Sequence, residues 1–173
     1  MRTLWCGLGL NLGVLVYQNP QGQLLRDICN EGEGVGKTYR QMDTGEGTFL
    51  SSRARTASTA ELRFHTDRAD IVGLLCVSRA KSGGETRIAS SVMVHNEMIR
   101  RRPEFAALLY ATIYRPRLGE DTGGDPMFYP LPVFRCRHGT FTSTYPLPLV
   151  ETAQLLTDVP QMQESHTAAS ALL

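Results

Sequence analysis

The chain has 173 residues, of which 42% are hydrophobic and 20% charged, a balance typical of a soluble globular protein with one domain and a core. Its formal net charge of +1 argues against nucleic acid or an anionic membrane surface as a partner. No apolar run reaches about 18 residues, so the sequence predicts no membrane-spanning segment. The composition leaves homo-oligomerisation open.

The cysteines are spread along the chain without a C-x-x-C pair: Cys6, Cys29, Cys76 and Cys136. This usage is typical of reduced thiols in an intracellular protein and predicts a cytoplasmic location. The first sixteen residues combine one arginine with apolar residues, as a secretion signal does. Asn11 interrupts that run and no small-x-small cleavage site follows, which favours an interior segment over a signal.

The first third of the chain contains few regular patterns. The apolar stretch Leu4–Tyr17 is compatible with a short helix followed by a strand, and Asn19–Gly22 is a turn signal. Gly32–Thr38 reads GEGVGKT, similar to a phosphate-binding loop, but Glu31 occupies the position where that motif needs its first glycine. A nucleotide site is therefore a minor alternative to a glycine-rich loop. Residues 41–60 have no hydrophobic period and predict a flexible loop.

Candidate chemistry is concentrated between residues 62 and 86. Residues two apart on a strand share a face, so a strand over Arg63–Asp67 would point His65 and Asp67 the same way. One imidazole and one carboxylate are two thirds of a 2-His-1-carboxylate site for non-haem Fe(II). The apolar run Ile71–Val77 predicts a buried strand, and Gly83-Gly84-Glu85-Thr86 predicts a close backbone turn beside a hydroxyl donor.

The remaining sequence predicts helices and a hairpin. Ser90 or Ser91 can cap a helix whose arginines lie at its carboxyl end, and Pro103 can begin a second helix. His138-Gly139, between residues 133–137 and 140–145, predicts a β-hairpin. Residues 149–156 are compatible with a further helix. Residues 157–173 lack a core pattern and predict a poorly ordered tail.

Three strings together resemble one family: FHTD, then DIVGLLCVSRAKSGGET, then SSVMVHNEMIRRRPEF. They are similar to the Fe(II)/2-oxoglutarate-dependent dioxygenases of the TauD/TfdA (taurine dioxygenase-like) family, and the resemblance runs from about Leu8 to about Pro160. It implies a mostly β fold with a helical insert (α+β), a partial double-stranded β-helix or jelly roll of the clavaminate synthase-like type. Residues 1–173 would form a single partial domain, truncated at both ends.

The resemblance also implies roles for individual residues. His65 and Asp67 match the first two iron ligands of the family, and Thr86 matches the threonine that hydrogen-bonds a carboxylate of 2-oxoglutarate. The implied cofactors are Fe(II) and, as cosubstrate, 2-oxoglutarate. The implied activity is that of an oxidoreductase, a dioxygenase that uses O₂ to hydroxylate a small organic acid.

Two further groups of the family have no clear counterpart. The second iron-binding histidine has only His138 and His166 as candidates, and no arginine or lysine follows Arg137 to anchor the other carboxylate of 2-oxoglutarate. A catalytically incomplete remnant, acting as a β-rich scaffold or interaction module, is therefore the alternative function. Arg115, Arg117 and Arg135 are interpreted as surface charges rather than as contacts to an anionic substrate.

Overall fold

Among the residues that the structure describes, regular secondary structure lies mainly in the second half of the chain. The computed structural model describes residues 1–18, 21–32, 42–43, 48–49, 57, 59, 61–117, 124–156 and 158–173, with the backbone alone at 42–43, 48–49 and 147–148. The helices are α1 (Arg2–Leu12), α2 (Ser91–Arg101), α3 (Pro103–Leu108), α4 (Leu147–Ala153) and α5 (Glu164–Ala171). The strands are β1 (Met42–Asp43), β2 (Thr48–Phe49), β3 (Tyr114–Pro116), β4 (Phe128–Pro130), β5 (Phe134–Arg137) and β6 (Thr140–Ser143). Most of Gly32–Thr38 and of the loop predicted over 41–60 lies outside the described residues.

The two helices predicted after residue 90 are confirmed with their end signals. Ser90 precedes α2, and its hydroxyl accepts a hydrogen bond from the backbone N–H of Met93 at 3.4 Å. Such a bond satisfies one of the N–H groups that have no partner within the helix. Arg100 and Arg101 occupy the last turn, where cations suit the helix dipole. Pro103 occupies the first turn of α3, where its missing N–H costs nothing.

The strands form three separate two-stranded sheets, β1–β2, β3–β4 and β5–β6, all antiparallel. The predicted hairpin is β5–β6, in which Arg137 pairs with Thr140 across a two-residue turn. Both turn residues have positive φ, 51° at His138 and 77° at Gly139, as a type I′ hairpin turn requires. Antiparallel pairing agrees with a jelly roll, but the described strands do not join into one closed barrel.

The buried strand predicted over Ile71–Val77 is wrong. The described segment 61–90 contains no helix or strand, and the large apolar side chains of this run are 43–73% exposed. A strand needs a neighbouring strand for its N–H and C=O groups, and an apolar run is buried only when another layer covers it. Among the described residues, no strand pairs with this run and no layer covers it. The hydrophobic pattern alone therefore did not determine the structure of this segment.

The hydrophobic core joins α2, α3, the β5–β6 hairpin, α4 and α5. Phe134 is 1% exposed and lies at its centre, with aromatic rings of His95, Tyr110 and Phe141 around it. The other buried members of this cluster are Met98, Ala106, Leu109, Ile113, Val133, Tyr145, Val150 and Ala169. Every buried member belongs to residues 98–169, so the helices and hairpin of the second half form this cluster within the described structure. No described helix is long and apolar enough to cross a membrane.

The end of the chain packs on this core. Residues 157–173, for which the sequence favours a poorly ordered tail, include helix α5, in which Ala169 and Ser170 are buried. The Tyr145 hydroxyl donates a hydrogen bond to the Ser170 carbonyl oxygen at 2.6 Å. Small residues are a weak pattern in sequence, but they let a helix approach its neighbours closely, and α5 packs against α3.

Tyr145 provides a test of this packing through pH. Burial raises the pKa of its hydroxyl to about 12 from an ordinary value of 10.0. The unfolded chain therefore loses this proton near pH 10, whereas the folded chain keeps it until near pH 12. The stabilisation is complete below pH 10 and is lost as the pH rises through 12. Two pKa units correspond to about 2–3 kcal/mol.

Between pH 10 and pH 12, we expect the free energy of unfolding to fall more in the wild type than in Tyr145→Phe. The expected difference between the two decreases is about 2–3 kcal/mol. Urea denaturation of both proteins across this range measures the difference. The comparison cancels the other tyrosines, lysines and arginines that titrate in the same interval. Parallel curves for the two proteins would contradict the buried environment of Tyr145.

Candidate active site

The segment that carries His65 and Asp67 is attached to the core by its middle residue. The Thr66 N–H donates to the Tyr145 carbonyl oxygen at 3.1 Å, and the Tyr145 N–H donates to the Thr66 hydroxyl oxygen at 2.7 Å. The predicted strand over Arg63–Asp67 is absent, because this attachment involves one residue rather than a ladder. The attachment nevertheless turns Thr66 toward the core and leaves His65 and Asp67 more exposed to solvent.

A second attachment lies just before the histidine. The Arg63 guanidinium donates two hydrogen bonds to the Glu151 carboxylate on α4, at 3.1 and 2.6 Å. The hydrogen bond with Glu151 raises the pKa of Arg63 above its usual value, although burial opposes this. A bidentate pair fixes the orientation of both groups as well as their separation. Residues 63–66 are therefore held at two points, the backbone of Tyr145 and the carboxylate of Glu151 on α4.

His65 and Asp67 lie close together, as the sequence predicts. The distance from His65 Nε2 to Asp67 Oδ1 is 3.8 Å, and the side chains are 30% and 54% exposed. Metal–nitrogen and metal–oxygen bonds are about 2.1 Å long for small divalent cations. Two atoms 3.8 Å apart can therefore bind one such ion together, with solvent access on the open side.

The other ring nitrogen of His65 supports this arrangement. His65 Nδ1 lies 2.8 Å from the Arg63 carbonyl oxygen, so Nδ1 carries the proton in the tautomer that makes this hydrogen bond. The lone pair then resides on Nε2, the atom that faces Asp67. Metal-binding histidines are usually oriented in this way by a carbonyl or carboxylate behind them. The donor atoms of His65 and Asp67 thus fit a divalent metal ion.

Thr86 lies in an exposed stretch without regular structure, and the described hydrogen bonds do not connect it with His65 or Asp67. The turn that precedes it agrees with the sequence: Gly83 and Gly84 both have positive φ, 68° and 77°. Glycine adopts such conformations readily because it has no Cβ atom. The role of Thr86 toward 2-oxoglutarate therefore stays a prediction.

Neither candidate for a second histidine ligand joins the pair. His138 is exposed in the β5–β6 turn, and His166 belongs to α5. Within the described ranges, no three His, Cys, Asp or Glu side chains are placed to share a metal ion. The described part of the chain accordingly offers two candidate ligands, His65 and Asp67, for a facial triad.

The interpretation of Arg115 as a surface charge is wrong. Arg115 is 0% exposed and lies on β3 opposite Tyr129 of β4. Its Nη2 donates to the Thr144 carbonyl oxygen at 2.7 Å, whereas its Nε and Nη1 have no hydrogen-bond partner among the described residues. Arginine is almost never fully buried without a partner, so the residue type alone predicted a surface position for Arg115.

Sequence reasoning also missed Arg63 and Tyr129. Arg63 orients His65 through its carbonyl oxygen, a backbone contact for which the residue type gives no signal. Tyr129 receives a hydrogen bond from Arg68, sixty-one positions earlier, at 2.5 Å. Arg68 directly follows Asp67 in sequence, and this adjacency was the signal that could have placed a partner of Arg68 near the candidate site.

Comparison with known proteins identifies the family of the chain. The family described as taurine catabolism dioxygenase TauD, TfdA family, matches residues 23–165. The chain is 32% identical over 140 residues to the FR-33289 synthase of Streptomyces rubellomurinus, covering 80% of this chain and 37% of that protein. It is 41% identical over 46 residues to a taurine hydroxylase-like protein of Stachybotrys chartarum, covering 27% of this chain and 12% of that protein. The chain thus spans well under half the length of these relatives. The family match, which covers most of the sequence and includes His65, Asp67 and Thr86, shows that the chain belongs to the TauD/TfdA family.

Proposed function

We propose that this chain carries part of the active site of an Fe(II)- and 2-oxoglutarate-dependent dioxygenase that hydroxylates a small organic acid. The observation that carries the proposal is the His65–Asp67 pair, with Nε2 and Oδ1 3.8 Å apart and Nδ1 of the histidine held by the Arg63 carbonyl oxygen. The Stachybotrys chartarum relative is named as a taurine hydroxylase-like protein, which supports oxidative chemistry.

The residues of this chain would act by holding and orienting. His65 and Asp67 would bind the iron, and the Thr86 hydroxyl would donate to a carboxylate oxygen of 2-oxoglutarate. Fe(II) with 2-oxoglutarate and O₂ supplies the oxidising chemistry, while the protein determines which carbon of the substrate is presented. The attachments of Thr66 to Tyr145 and of Arg63 to Glu151 would keep the two ligands in place before the metal binds.

The experiment is Fe(II) binding by the purified chain, measured by anaerobic equilibrium dialysis with and without 2-oxoglutarate. We expect binding that 2-oxoglutarate strengthens and that His65→Ala/Asp67→Ala abolishes. The matched control is Asp70→Ala, which removes an exposed carboxylate three positions after Asp67. Consumption of 2-oxoglutarate that depends on Fe(II) and on His65 would establish turnover.

Circular dichroism on the same samples shows whether the protein is folded. A folded wild type that binds no Fe(II) would contradict the proposed function. It would favour the catalytically incomplete remnant instead. Equal Fe(II) binding by the wild type and the double variant would also contradict it, because the metal would then lie elsewhere in the chain.

A further inference from the structure

A cluster of arginines surrounds Tyr129 next to the candidate metal ligands. The guanidinium carbons of Arg68 and Arg117 lie 5.3 and 5.2 Å from the centroid of the Tyr129 ring. Arg115 is the cross-strand partner of Tyr129, is fully buried, and interacts with the Tyr129 side chain. Three guanidinium groups from two distant parts of the chain therefore converge on one side chain.

The cluster is close to the segment that carries His65 and Asp67. Arg68 directly follows Asp67 in sequence. Arg115 donates to the carbonyl oxygen of Thr144, and the next residue, Tyr145, exchanges two hydrogen bonds with Thr66. The arginines and the candidate metal ligands are thus connected through a few hydrogen bonds of the same local structure.

The buried member of the cluster is incompletely satisfied. Arg115 Nε and Nη1 are inaccessible to solvent and have no hydrogen-bond partner among the described residues. Burial lowers the pKa of Arg115, and the positive charge of Arg68 lowers it further, although Tyr129 acts in the opposite direction. Leaving buried N–H donors of a charged group unpaired is costly, and an unpaired group of this kind calls for an ion or another bound partner.

We infer that Arg68, Arg115 and Arg117 around Tyr129 form a binding site for an oxyanion, such as the carboxylate of a small organic acid. The identification of that acid as the substrate rests on the proposed function. A planar guanidinium donates paired hydrogen bonds to the two oxygens of a carboxylate, and such charge-assisted bonds are stronger than neutral ones. The Tyr129 hydroxyl offers a further donor to the same group. In this arrangement the anion would be held beside the metal ligands, which orients the rest of the substrate toward them.

The test uses inorganic sulfate as the probe and isothermal titration calorimetry of the chain without iron or 2-oxoglutarate. Ionic strength is kept constant with chloride, because screening would otherwise change every charged contact. We expect sulfate to bind, and its affinity to fall about tenfold in Arg68→Gln and in Arg117→Gln, since each loses one charge-assisted contact. The control Arg101→Gln removes the same charge from α2, where Arg100 still pairs with Glu97, and should bind like the wild type.

Two further variants separate competing sites. Arg135→Gln/Arg137→Gln removes the arginines that line a depression of about 260 Å³ on the β5–β6 hairpin. The acidic variant, Asp125→Asn, removes the carboxylate between β3 and β4 that pairs with Arg117, with 4.0 Å between Arg117 Nη2 and Asp125 Oδ2. Loss of sulfate binding only in the hairpin variant would overturn the inference. So would binding that appears only in the acidic variant, since a carboxylate of the chain itself would then occupy the cluster.

Unchanged affinity in both Arg68→Gln and Arg117→Gln would likewise overturn it. These two side chains are partly exposed, so their variants test the site even if a substitution of the buried Arg115 prevents folding. The measurement contains no metal or cosubstrate, so its failure would leave the Fe(II)-binding prediction intact. Conversely, if the chain bound sulfate but no Fe(II), the oxyanion site would be supported and the proposed function would be contradicted.

Discussion

Replacing His65 by alanine is expected to lower the affinity of the chain for Fe(II) by more than about 100-fold. Loss of a residue that only orients a metal ligand costs about 10–100-fold in affinity, and His65 is proposed as a ligand itself. The exposed position of His65 and Asp67 means that the substitution removes little packing. Anaerobic equilibrium dialysis gives the affinity, and thermal unfolding of the same variant shows that the fold is retained.

His138→Ala and His166→Ala are the matched controls for this prediction. Both remove an imidazole, but neither histidine joins His65 and Asp67 in the described structure. We expect both variants to bind Fe(II) like the wild type. A loss with either of them comparable to that of His65→Ala would identify a third ligand within this chain and would contradict the structure as described.

Replacing Phe134 by alanine is expected to destabilise the chain by about 3–5 kcal/mol, the range for removal of a buried phenylalanine. Phe134 is 1% exposed, and its ring contacts the rings of His95 at 5.0 Å, Phe141 at 5.7 Å and Tyr110 at 5.8 Å between centroids. The substitution removes these contacts and leaves a cavity in the core. Urea denaturation monitored by circular dichroism measures the change.

Phe64→Ala is the control, because this residue is 50% exposed and lies in the segment beside His65. We expect a much smaller loss of stability from it, since most of its surface is already in contact with water. Equal destabilisation by the two substitutions would show that residues 61–90 are packed in solution. It would therefore contradict the exposed position of that segment.

The structure separates the packed body of the chain from its candidate chemistry. The core cluster belongs to residues 98–169, whereas His65, Asp67 and Thr86 lie in a segment without helix or strand. Thr66 and Arg63 connect the two parts through Tyr145 and Glu151. We therefore expect changes in the core to affect metal binding chiefly through these two attachments.

The features that local sequence predicted correctly depend on neighbours within a few residues. Ser90 caps α2, Pro103 begins α3 and His138-Gly139 forms the hairpin turn, because capping, fixed φ and positive φ are properties of one or two residues. The His65–Asp67 pairing belongs to the same class, since the two residues are separated only by Thr66. The family assignment likewise needed only the order of short motifs.

The features that the sequence predicted wrongly, or did not predict, depend on residues that are distant in the chain. Ile71–Val77 has the composition of a buried strand, but a strand is formed only where another strand and a covering layer are present. The burial of Arg115 follows from the pairing of β3 with β4, and the orientation of His65 follows from a backbone carbonyl that no residue type reveals. Sequence by itself therefore determined the family and the local elements of this protein, and its assignment of His65 and Asp67 as metal ligands stays a prediction. Only the tertiary structure decided which groups are buried and where the arginines meet, because burial and charge convergence are properties of the packed chain rather than of its segments.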